Sequence, residues 1–553
     1  MNKLLSLLLA AGLGCPSEPP DPERVLYVNG RIDTCVPGAP PAEALLTTDD
    51  RITSTGPRRT LEAQAHGARV VDLGGRTLMC GFVDGHIHPE PLGAPAWFVN
   101  SPEYVSDPTH PQHPYGPDAA EVLELVRQRA LVAPAGQPIM VLVSVAYWAS
   151  AGQDPRAALD AVAPNHPVVI ASWGGHGLAV NSASLALAGF SDGQADPYGG
   201  RLTRDSTGRL TGYVQELAEV PLFQRLALAF TDADLVAHAT GYAQAAWRTG
   251  QVRGLAIPFM VSPARGAGVY AQVPGDYWRM ACLLTDPAQD CQPYRGETHV
   301  KVFIDGSPDR CEALMHLPYV SPETCPEAAP WHGFANLSTL HIDLALMRVL
   351  GGEGRLLAHA LGDGAVTLFL DRLEALGGPS GRWPQVTLEH GDHFRPADMA
   401  RAARLGVVVV QNPTHLLTVP PLSAARYAPA VVAESEPLRD LVTNGVRLAF
   451  ASDDFIAPTS TWLQIQLAVA HPFRPAQGLT LQEALDAWTV HAAAARGWTD
   501  LGTLEPGKRA SFQVLSRDPR STPVPELGGI TSVLTVVNGA TVWSNGSVQA
   551  ATP

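Results

Sequence analysis

Two histidines separated by one residue end an apolar run near the start of the chain. The segment Gly81–Pro89 reads GFVDGHIHP, so His86 and His88 stand just before a proline. Residues i and i+2 of a β-strand point to the same face, which lets both imidazoles bind one metal ion. Because Pro89 ends the strand, the pair is expected at its C-terminal end, where parallel-barrel enzymes carry their chemistry. Two histidines near a surface are the alternative.

Four more polar residues close apolar segments further along the chain. Lys301 lies in the alternating run HVKVFIDG, His359 ends LLAH, His390 follows VTLE, and Asp453 follows LAFAS. A barrel site takes one or two residues from each of several strand ends. Any one of these residues could be a strand-terminal polar group that faces water, but the agreement of five strand ends favours a common metal site.

This constellation resembles the metal-dependent amidohydrolase superfamily, and more narrowly amidohydrolase family 3 in its N-substituted formamide deformylase-like branch. The C-terminal segment GTLEPGK, residues 502–508, also matches the pattern of that family. Cys80 stands where the family usually has proline, and Ser511 replaces a common aspartate. The metal ligands that the resemblance implies are His86, His88, Lys301, His359, His390 and Asp453.

The resemblance also implies a divalent metal cofactor, zinc in the first instance, with one or two ions per chain. Lys301 would react with carbon dioxide to give a carbamate that bridges two ions; a lysine paired with a carboxylate beside a single metal is the alternative. Histidine, carboxylate and carbamate ligands suit manganese and iron(II) as well as zinc. Asp453 would be the catalytic residue, taking a proton from water and returning it to the leaving nitrogen.

Strand and helix signals predict an α/β fold: a (β/α)8 TIM-type barrel with a small β domain built from both chain ends and a large insertion after barrel strand 1. The predicted units are residues 1–21 as a signal peptide or lipoprotein tether, 22–78 and 500–553 as a composite β-sandwich-like domain, 79–499 as the barrel, and about 91–230 as the insertion.

Local signals support this division at both ends of the chain. Asn29-Gly30 and Asn538-Gly539 each lie between apolar runs, which is a hairpin signal. One helix is predicted over residues 479–497, opened by a capping box in which a threonine and a glutamate stand three residues apart.

Two further histidines are candidate substrate-binding residues. His176 ends the run PVVIASWGGH within the insertion, where related sequences carry Asp-Gly-His and Gly174 here takes the aspartate position. It is interpreted as facing the substrate; the alternative is a hydrogen-bonded histidine that holds the insertion on the barrel. His415, in the segment NPTH, could polarise the substrate carbonyl.

The N-terminus indicates export. Lys3 precedes the apolar run 4–13, which is too short to cross a bilayer, since a spanning helix takes about 20 apolar residues. Gly14 and Cys15 follow, which resembles a bacterial lipoprotein signal with Cys15 as the lipidated residue. We therefore expect an exported protein, either a membrane-anchored lipoprotein or a periplasmic or secreted enzyme.

Export changes how the other six cysteines are interpreted, because an oxidising compartment permits disulfides. Proximity favours two pairs and leaves two cysteines beside the N-terminal strands: Cys282 with Cys291, Cys311 with Cys325, and the remaining Cys35 and Cys80. Buried free thiols are the alternative.

Composition limits the partners. The chain has 553 residues, 46% hydrophobic and 16% charged, so it can bury a large core. Its formal net charge of −15 argues against nucleic acid, which needs a basic surface. A small-molecule substrate is expected, with membrane contact only through an N-terminal lipid; a homodimer stays open.

Three functions are compatible with these features. The first is hydrolysis of an amide or formamide-like C–N bond other than a peptide bond, through a metal-activated hydroxide. The second uses the same site as a cyclic amidase or deaminase. The third is an exported lipoprotein that binds a solute on an inactive barrel, although a binding protein has no use for a base aspartate or a carbamate lysine.

Overall fold

The computed structural model describes residues 22–91, 93–100, 116–172, 174–320, 325, 330–417, 426–454 and 460–550. Its strands are, in chain order, β1 (Arg24–Val28), β2 (Arg31–Asp33), β3 (Ala44–Thr48), β4 (Arg51–Gly56), β5 (Arg69–Asp72), β6 (Thr77–Cys80), β7 (Phe82–Ile87), β8 (Ile139–Val143), β9 (Val168–Ser172), β10 (Leu178–Val180), β11 (Gly200–Arg204), β12 (Leu210–Glu216), β13 (Gln251–Ala256), β14 (Trp278–Met280), β15 (Cys282–Leu283), β16 (His299–Phe303), β17 (Arg355–Ala360), β18 (Val386–His390), β19 (Val408–Gln411), β20 (Arg447–Phe450), β21 (Phe512–Leu515), β22 (Ser532–Val537), β23 (Ala540–Ser544) and β24 (Gln549–Ala550). Its α-helices are Arg58–Gln64, Ala119–Val132, Val145–Ser150, Pro155–Val162, Ser182–Ala188, Val220–Leu226, Asp232–Arg248, Pro263–Ala271, Thr339–Leu350, Asp363–Leu376, Pro396–Leu405, Pro429–Glu434, Leu438–Thr443, Thr461–Val469, Leu481–Trp488 and Val490–Arg496.

Strands from the two chain ends share two five-stranded sheets. The first has the order β24-β5-β1-β3-β4 and the second the order β2-β6-β21-β22-β23. In the second sheet, Cys80 of β6 pairs with Phe512 of β21. The ring of Phe512 also meets Tyr27 of the first sheet edge-to-face, with centroids 5.0 Å apart. Strands from both ends of the described chain therefore lie in the same sheets.

The two Asn-Gly dipeptides have different roles. Asn538-Gly539 joins β22 and β23 as an antiparallel hairpin, which confirms the prediction there. The prediction is wrong at Asn29-Gly30, because β1 and β2 lie in different sheets. Both edges of β1 are already paired, antiparallel with β3 and parallel with β5, so β2 joins β6 instead.

Parallel strands alternating with helices form the middle of the chain. One sheet has the order β14-β13-β7, and another has the order β15-β16-β17-β18-β19-β20. Only Ala281 separates β14 from β15, so one extended segment pairs with β13 on one side and β16 on the other. Beyond β20, the Asp453 N–H donates to the His86 carbonyl at 3.0 Å, next to β7. This is a mixed α/β fold of the TIM-barrel type.

Between β7 and β13 the chain builds a separate sheet with the order β11-β12-β10-β9-β8. Strands β8 and β9 are parallel, whereas β10, β11 and β12 pair antiparallel. The segment that leaves β12 makes a 3-10 turn over Leu217–Glu219 and enters the helix Val220–Leu226. Within the described ranges, no helix combines the length and the apolar character needed to span a membrane.

The C-terminal helical segment differs in one respect from its prediction. The capping box at Thr480 and Glu483 is present, so the start of the helix is confirmed. The prediction of a single helix is wrong, because the segment is divided into two helices at Thr489, whose φ of −122° and ψ of −88° are not helical. The Thr489 hydroxyl donates to the Leu485 carbonyl at 2.7 Å, an alternative to the regular helical bond at that point.

Three disulfides join the six cysteines of the described chain: Cys35–Cys80, Cys282–Cys291 and Cys311–Cys325. The two pairs that proximity favoured are confirmed, and the two remaining cysteines pair with each other. Cys15 lies outside the described residues.

Candidate metal centre

His86 and His88 meet Asp453 at the C-terminal end of β7. Their Nε2 atoms lie 3.4 Å and 3.5 Å from Asp453 Oδ1. His88 Nδ1 donates to the Ile257 carbonyl at 3.0 Å, which directs its Nε2 toward the carboxylate. Burial lowers the pKa of His88 to about 3, so the imidazole is neutral and can act as a ligand. The three side chains form a group with metal-ligand spacing.

A buried ion pair fixes the orientation of His86. Its Nδ1 donates to Glu389 Oε2 at 2.8 Å, and the same oxygen accepts from Arg496 Nη2 at 2.7 Å. Both Glu389 and His86 are fully buried. Because Nδ1 carries the proton in this arrangement, Nε2 is the atom left for a metal.

His359 and His390 lie beside this group, with ring centroids 4.5 Å apart. His390 Nδ1 donates to Asn412 Oδ1 at 2.8 Å, which leaves its Nε2 available. Burial lowers the pKa of His390 to about 3, and burial also holds the pKa of His359 well below its ordinary value. Both rings are therefore neutral, and both line the same cavity as His86 and His88.

Lys301 lies inside the group of histidines. Its Nζ donates to His86 Nε2 at 3.2 Å and lies 4.8 Å from the Phe303 ring centroid. No carboxylate of a described residue lies within 4.0 Å of this Nζ, so the lysine is not held in an ion pair. Burial lowers the pKa of Lys301 to about 8. At pH 7 about a tenth of the side chain is then a free amine, far more than at the ordinary lysine pKa.

His415 connects two carboxylates behind the metal ligands. Its Nδ1 lies 2.9 Å from Asp392 Oδ2, and its Nε2 lies 3.3 Å from Asp453 Oδ2. Burial alone would lower the pKa of His415, but the charges of Asp392 and Asp453 outweigh it and hold the pKa well above its ordinary value. His415 therefore carries a proton on each nitrogen and donates to both carboxylates.

Among the described residues that line the cavity, two buried side-chain atoms have no hydrogen-bond partner, namely His359 Nε2 and Asp453 Oδ1. A buried polar atom that stays unpaired is costly, so such atoms need an explanation. Both are metal-ligand atoms, and both residues line the cavity. The residues therefore fit a divalent metal, with the Asp453 Oδ1 edge facing it and the Oδ2 edge held by His415.

The insertion forms part of the wall of this cavity. His176 lines it, with its ring centroid 4.9 Å from that of His359. The His176 Nδ1 atom lies 3.1 Å from Glu216 Oε1, and Asn336 Nδ2 lies 2.9 Å from Glu216 Oε2. His415 is not among the described residues that line the cavity; it lies behind Asp453.

Several residues of the site had no signal in the sequence. Glu389 and Asp392 flank His390, but neither follows a strand end in the pattern that selected the other candidates. The contact of Glu389 with His86 and Arg496 joins three distant parts of the chain, so no local spacing indicates it. Glu216 lines the cavity from the insertion and was likewise missed.

Comparison with known proteins agrees with this geometry. Residues 69–543 match the Amidohydrolase family, which is most of the chain. The N-substituted formamide deformylase of Arthrobacter pascens is 27% identical over 93% of this chain and 97% of its own length.

Solved structures give the same fold at low sequence identity. An uncharacterized metal-dependent hydrolase from Pyrococcus horikoshii OT3 superposes with a TM-score of 0.65 at 19% identity, covering 91% of this chain and 99% of its own. A mutant of atrazine chlorohydrolase from Arthrobacter aurescens TC1, complexed with zinc and atraton, gives 0.52 at 14% identity, covering 94% of this chain and 95% of its own. Given the family match and the buried histidine-aspartate centre, the chain belongs to the amidohydrolase family and is a metal-dependent hydrolase that acts on C–N bonds.

Proposed function

We propose that this enzyme hydrolyses a linear amide or formamide-like C–N bond, other than a peptide bond, in a small molecule. The observation that carries the proposal is the carboxylate of Asp453, whose Oδ1 faces the metal-ligand histidines while His415 holds Oδ2. The name of the Arthrobacter pascens relative supports the choice of a formamide-like bond.

We propose zinc as the metal, with one or two ions per chain. His86, His88 and Asp453 would hold one ion, and His359 with His390 the other. Lys301, as a carbamate, would bridge the two. When bound, such ions activate water and polarise the substrate carbonyl.

The side chains divide the remaining work. The Asp453 carboxylate would take the proton from water and pass it to the leaving nitrogen. The hydrogen bond from His415 to Oδ2 orients this carboxylate. Glu389 keeps the His86 Nδ1 proton in place throughout. His176 would contact the substrate from the insertion side, where it already lines the cavity.

The test is a screen of small amides, formamides and cyclic imides against zinc-loaded protein, repeated after chelation and dialysis. We expect turnover of linear amides or formamides that is lost with the metal and restored by zinc. Turnover confined to cyclic imides would favour the cyclic amidase. Turnover that survives complete metal removal would overturn the mechanism.

We also propose that the eight parallel strand segments close into a (β/α)8 barrel, with residues 22–78 and 500–553 as a composite β domain. The hydrogen bond from the Asp453 N–H to the His86 carbonyl and the parallel bridge of Ile87 with Asp454 support closure.

Export with lipidation at Cys15 is a further proposal, supported by three disulfides, which suit an oxidising compartment. The protein should partition into detergent after export, and Cys15→Ser should move it to the soluble fraction. Equal solubility of both forms would exclude the lipid anchor.

A further inference from the structure

One short segment of the insertion supplies both charge and apolar surface to the active-site cavity. Glu216, Leu217, Glu219 and Val220 all line the cavity that also contains His86 and His359. The segment follows the end of β12 and runs through the 3-10 turn into the next helix. It is therefore placed to contact the part of a substrate that does not react.

The backbone holds the first of these carboxylates in an unusual conformation. Glu216 has φ of 58° and ψ of −134°, a region that residues with a side chain rarely adopt. Hydrogen bonds from His176 and Asn336 fix its two oxygens. Such strain is retained where surrounding contacts enforce a particular placement of the side chain.

Glu219 lies next to it, and its Oε1 accepts the backbone N–H of Gly177. Burial, followed by the neighbouring charge of Glu216, holds the pKa of Glu219 well above its ordinary value. Burial and the charge of Glu216 thus favour the neutral acid form of Glu219, and a cation beside the pair would stabilise its ionised form.

Beside the two glutamates, an acidic group of the substrate would find no lysine or arginine partner. Among the described residues that line the cavity there is no lysine or arginine. Lysine and arginine are also absent from the sequence of the internal residues that the structure does not describe, which are 92, 101–115, 173, 321–324, 326–329, 418–425 and 455–459. They therefore cannot bring a lysine or arginine to the cavity, whatever their placement. A substrate carboxylate or phosphate would face two glutamates without a partner.

Next to the two glutamates, much of the lining is apolar. Leu217, Val220 and Leu283 form a buried cluster, and Phe259 and Phe303 pack against it. All five line the cavity. Apolar walls with a few polar groups are typical of sites that bind small organic molecules.

We propose that the substrate is an amide or formamide of a diamine, with an apolar ring-sized body and a second, protonated nitrogen that pairs with Glu219 and Glu216. This inference rests on the proposed function, because it places the scissile bond at the metal centre. The unpaired atoms His359 Nε2 and Asp453 Oδ1 mark the reacting end of the cavity, and the two glutamates bind the other end of the molecule.

Three formamides of para-substituted benzylamine test the charge preference, with aminomethyl, methyl or carboxylate as the para group. We expect kcat/KM to fall in that order. A hydrogen bond to a charged group contributes about 1.5–3 kcal/mol, which corresponds to about 10- to 100-fold between the cationic and neutral substrates. Equal rates for the cationic and carboxylate substrates would overturn the inference.

Variants separate charge recognition from general damage. Glu219→Gln should reduce kcat/KM for the aminomethyl substrate by a larger factor than for the methyl substrate, so that the preference for the cation is lost. Glu353→Gln, at an exposed glutamate that pairs with Arg348, is the matched control and should change neither. A Glu219→Gln enzyme that keeps the full preference for the cation would exclude this residue from recognition.

If none of the three formamides is hydrolysed, that result counts against the proposed function alone. The preference of the cavity for a cation can then be tested by binding. Thermal shifts of the zinc-loaded protein can be compared for 1,4-bis(aminomethyl)benzene, 4-methylbenzylamine and 4-(aminomethyl)benzoate. The diamine should stabilise the protein most and the benzoate least. A larger shift with the benzoate would overturn the inference independently of catalysis.

Discussion

Glu389 Oε2 lies 2.8 Å from His86 Nδ1, and this hydrogen bond is buried beneath the metal-ligand face of the imidazole. Outer partners of this kind set the tautomer and orientation of a ligand histidine. Arg496 compensates the charge of the carboxylate from the other side. The ligand group therefore depends on an ion pair that does not itself contact the cavity.

Replacing Glu389 with glutamine should weaken metal binding while the ligands stay intact. The expected loss of zinc affinity is about 10- to 100-fold, the usual effect of removing such a partner. Competition with a chelating indicator dye measures the affinity. Glu374→Gln, at a more exposed ion pair with Arg401, is the control. Unchanged affinity in Glu389→Gln would show that His86 keeps its orientation without the carboxylate.

Asp453→Asn should remove turnover and preserve the fold. The amide keeps the shape of the side chain but cannot take the proton, so kcat should fall by about 10² to 10⁴, with a smaller change in KM. Steady-state kinetics on zinc-loaded protein, with elemental analysis of both forms, measure this. Near-normal kcat in a variant that holds its metal would remove Asp453 from proton transfer.

Lys301→Ala should lose activity and regain part of it with short carboxylic acids, because a carboxylate can replace the bridging carbamate. The buried position of Lys301, with Nζ 3.2 Å from His86 Nε2, is the reason: an ammonium there would repel a nearby dication. Protein prepared in ¹³C-labelled bicarbonate should show a carbamate carbon by NMR. A metal-replete, active enzyme without that signal would leave a single-metal mechanism.

Removing the Cys35–Cys80 disulfide should destabilise the protein more than removing Cys282–Cys291. The two bridges close loops with sequence separations of 45 and 9, so loop entropy gives the longer loop about 1.4 kcal/mol more stabilisation. Paired cysteine-to-serine variants compared by denaturant unfolding provide the measurement. Equal losses would indicate that local packing, rather than loop closure, sets the contribution of each bridge.

The sequence predicted the parts of the site that follow strand geometry. His86 and His88 meet at one carboxylate because of their spacing and the following proline, and His359 and His390 line the same cavity. Lys301 lies behind this lining, with its Nζ 3.2 Å from His86 Nε2. The capping box at Thr480 was also predictable, since it depends on two residues three positions apart.

Other features depend on pairing between distant segments and could not be predicted. The parallel register of His359 with Glu389 and the approach of Arg496 set the outer ion pair. The break in the helix at Thr489 and the placement of β1 and β2 in different sheets likewise depend on contacts with neighbouring elements. A local sequence pattern carries no information about those contacts.

The pairing of Cys80 with Phe512 also constrains the order of events during synthesis. Strand β6 cannot obtain this neighbour until nearly the whole polypeptide has left the ribosome, and contacts of such long sequence separation slow folding. The N-terminal strands must therefore wait, incompletely paired, while the parallel strands emerge. A truncation that removed β21 to β24 would leave β5 and β6 with exposed edges, and such nascent or truncated chains are expected to depend on chaperones to avoid aggregation.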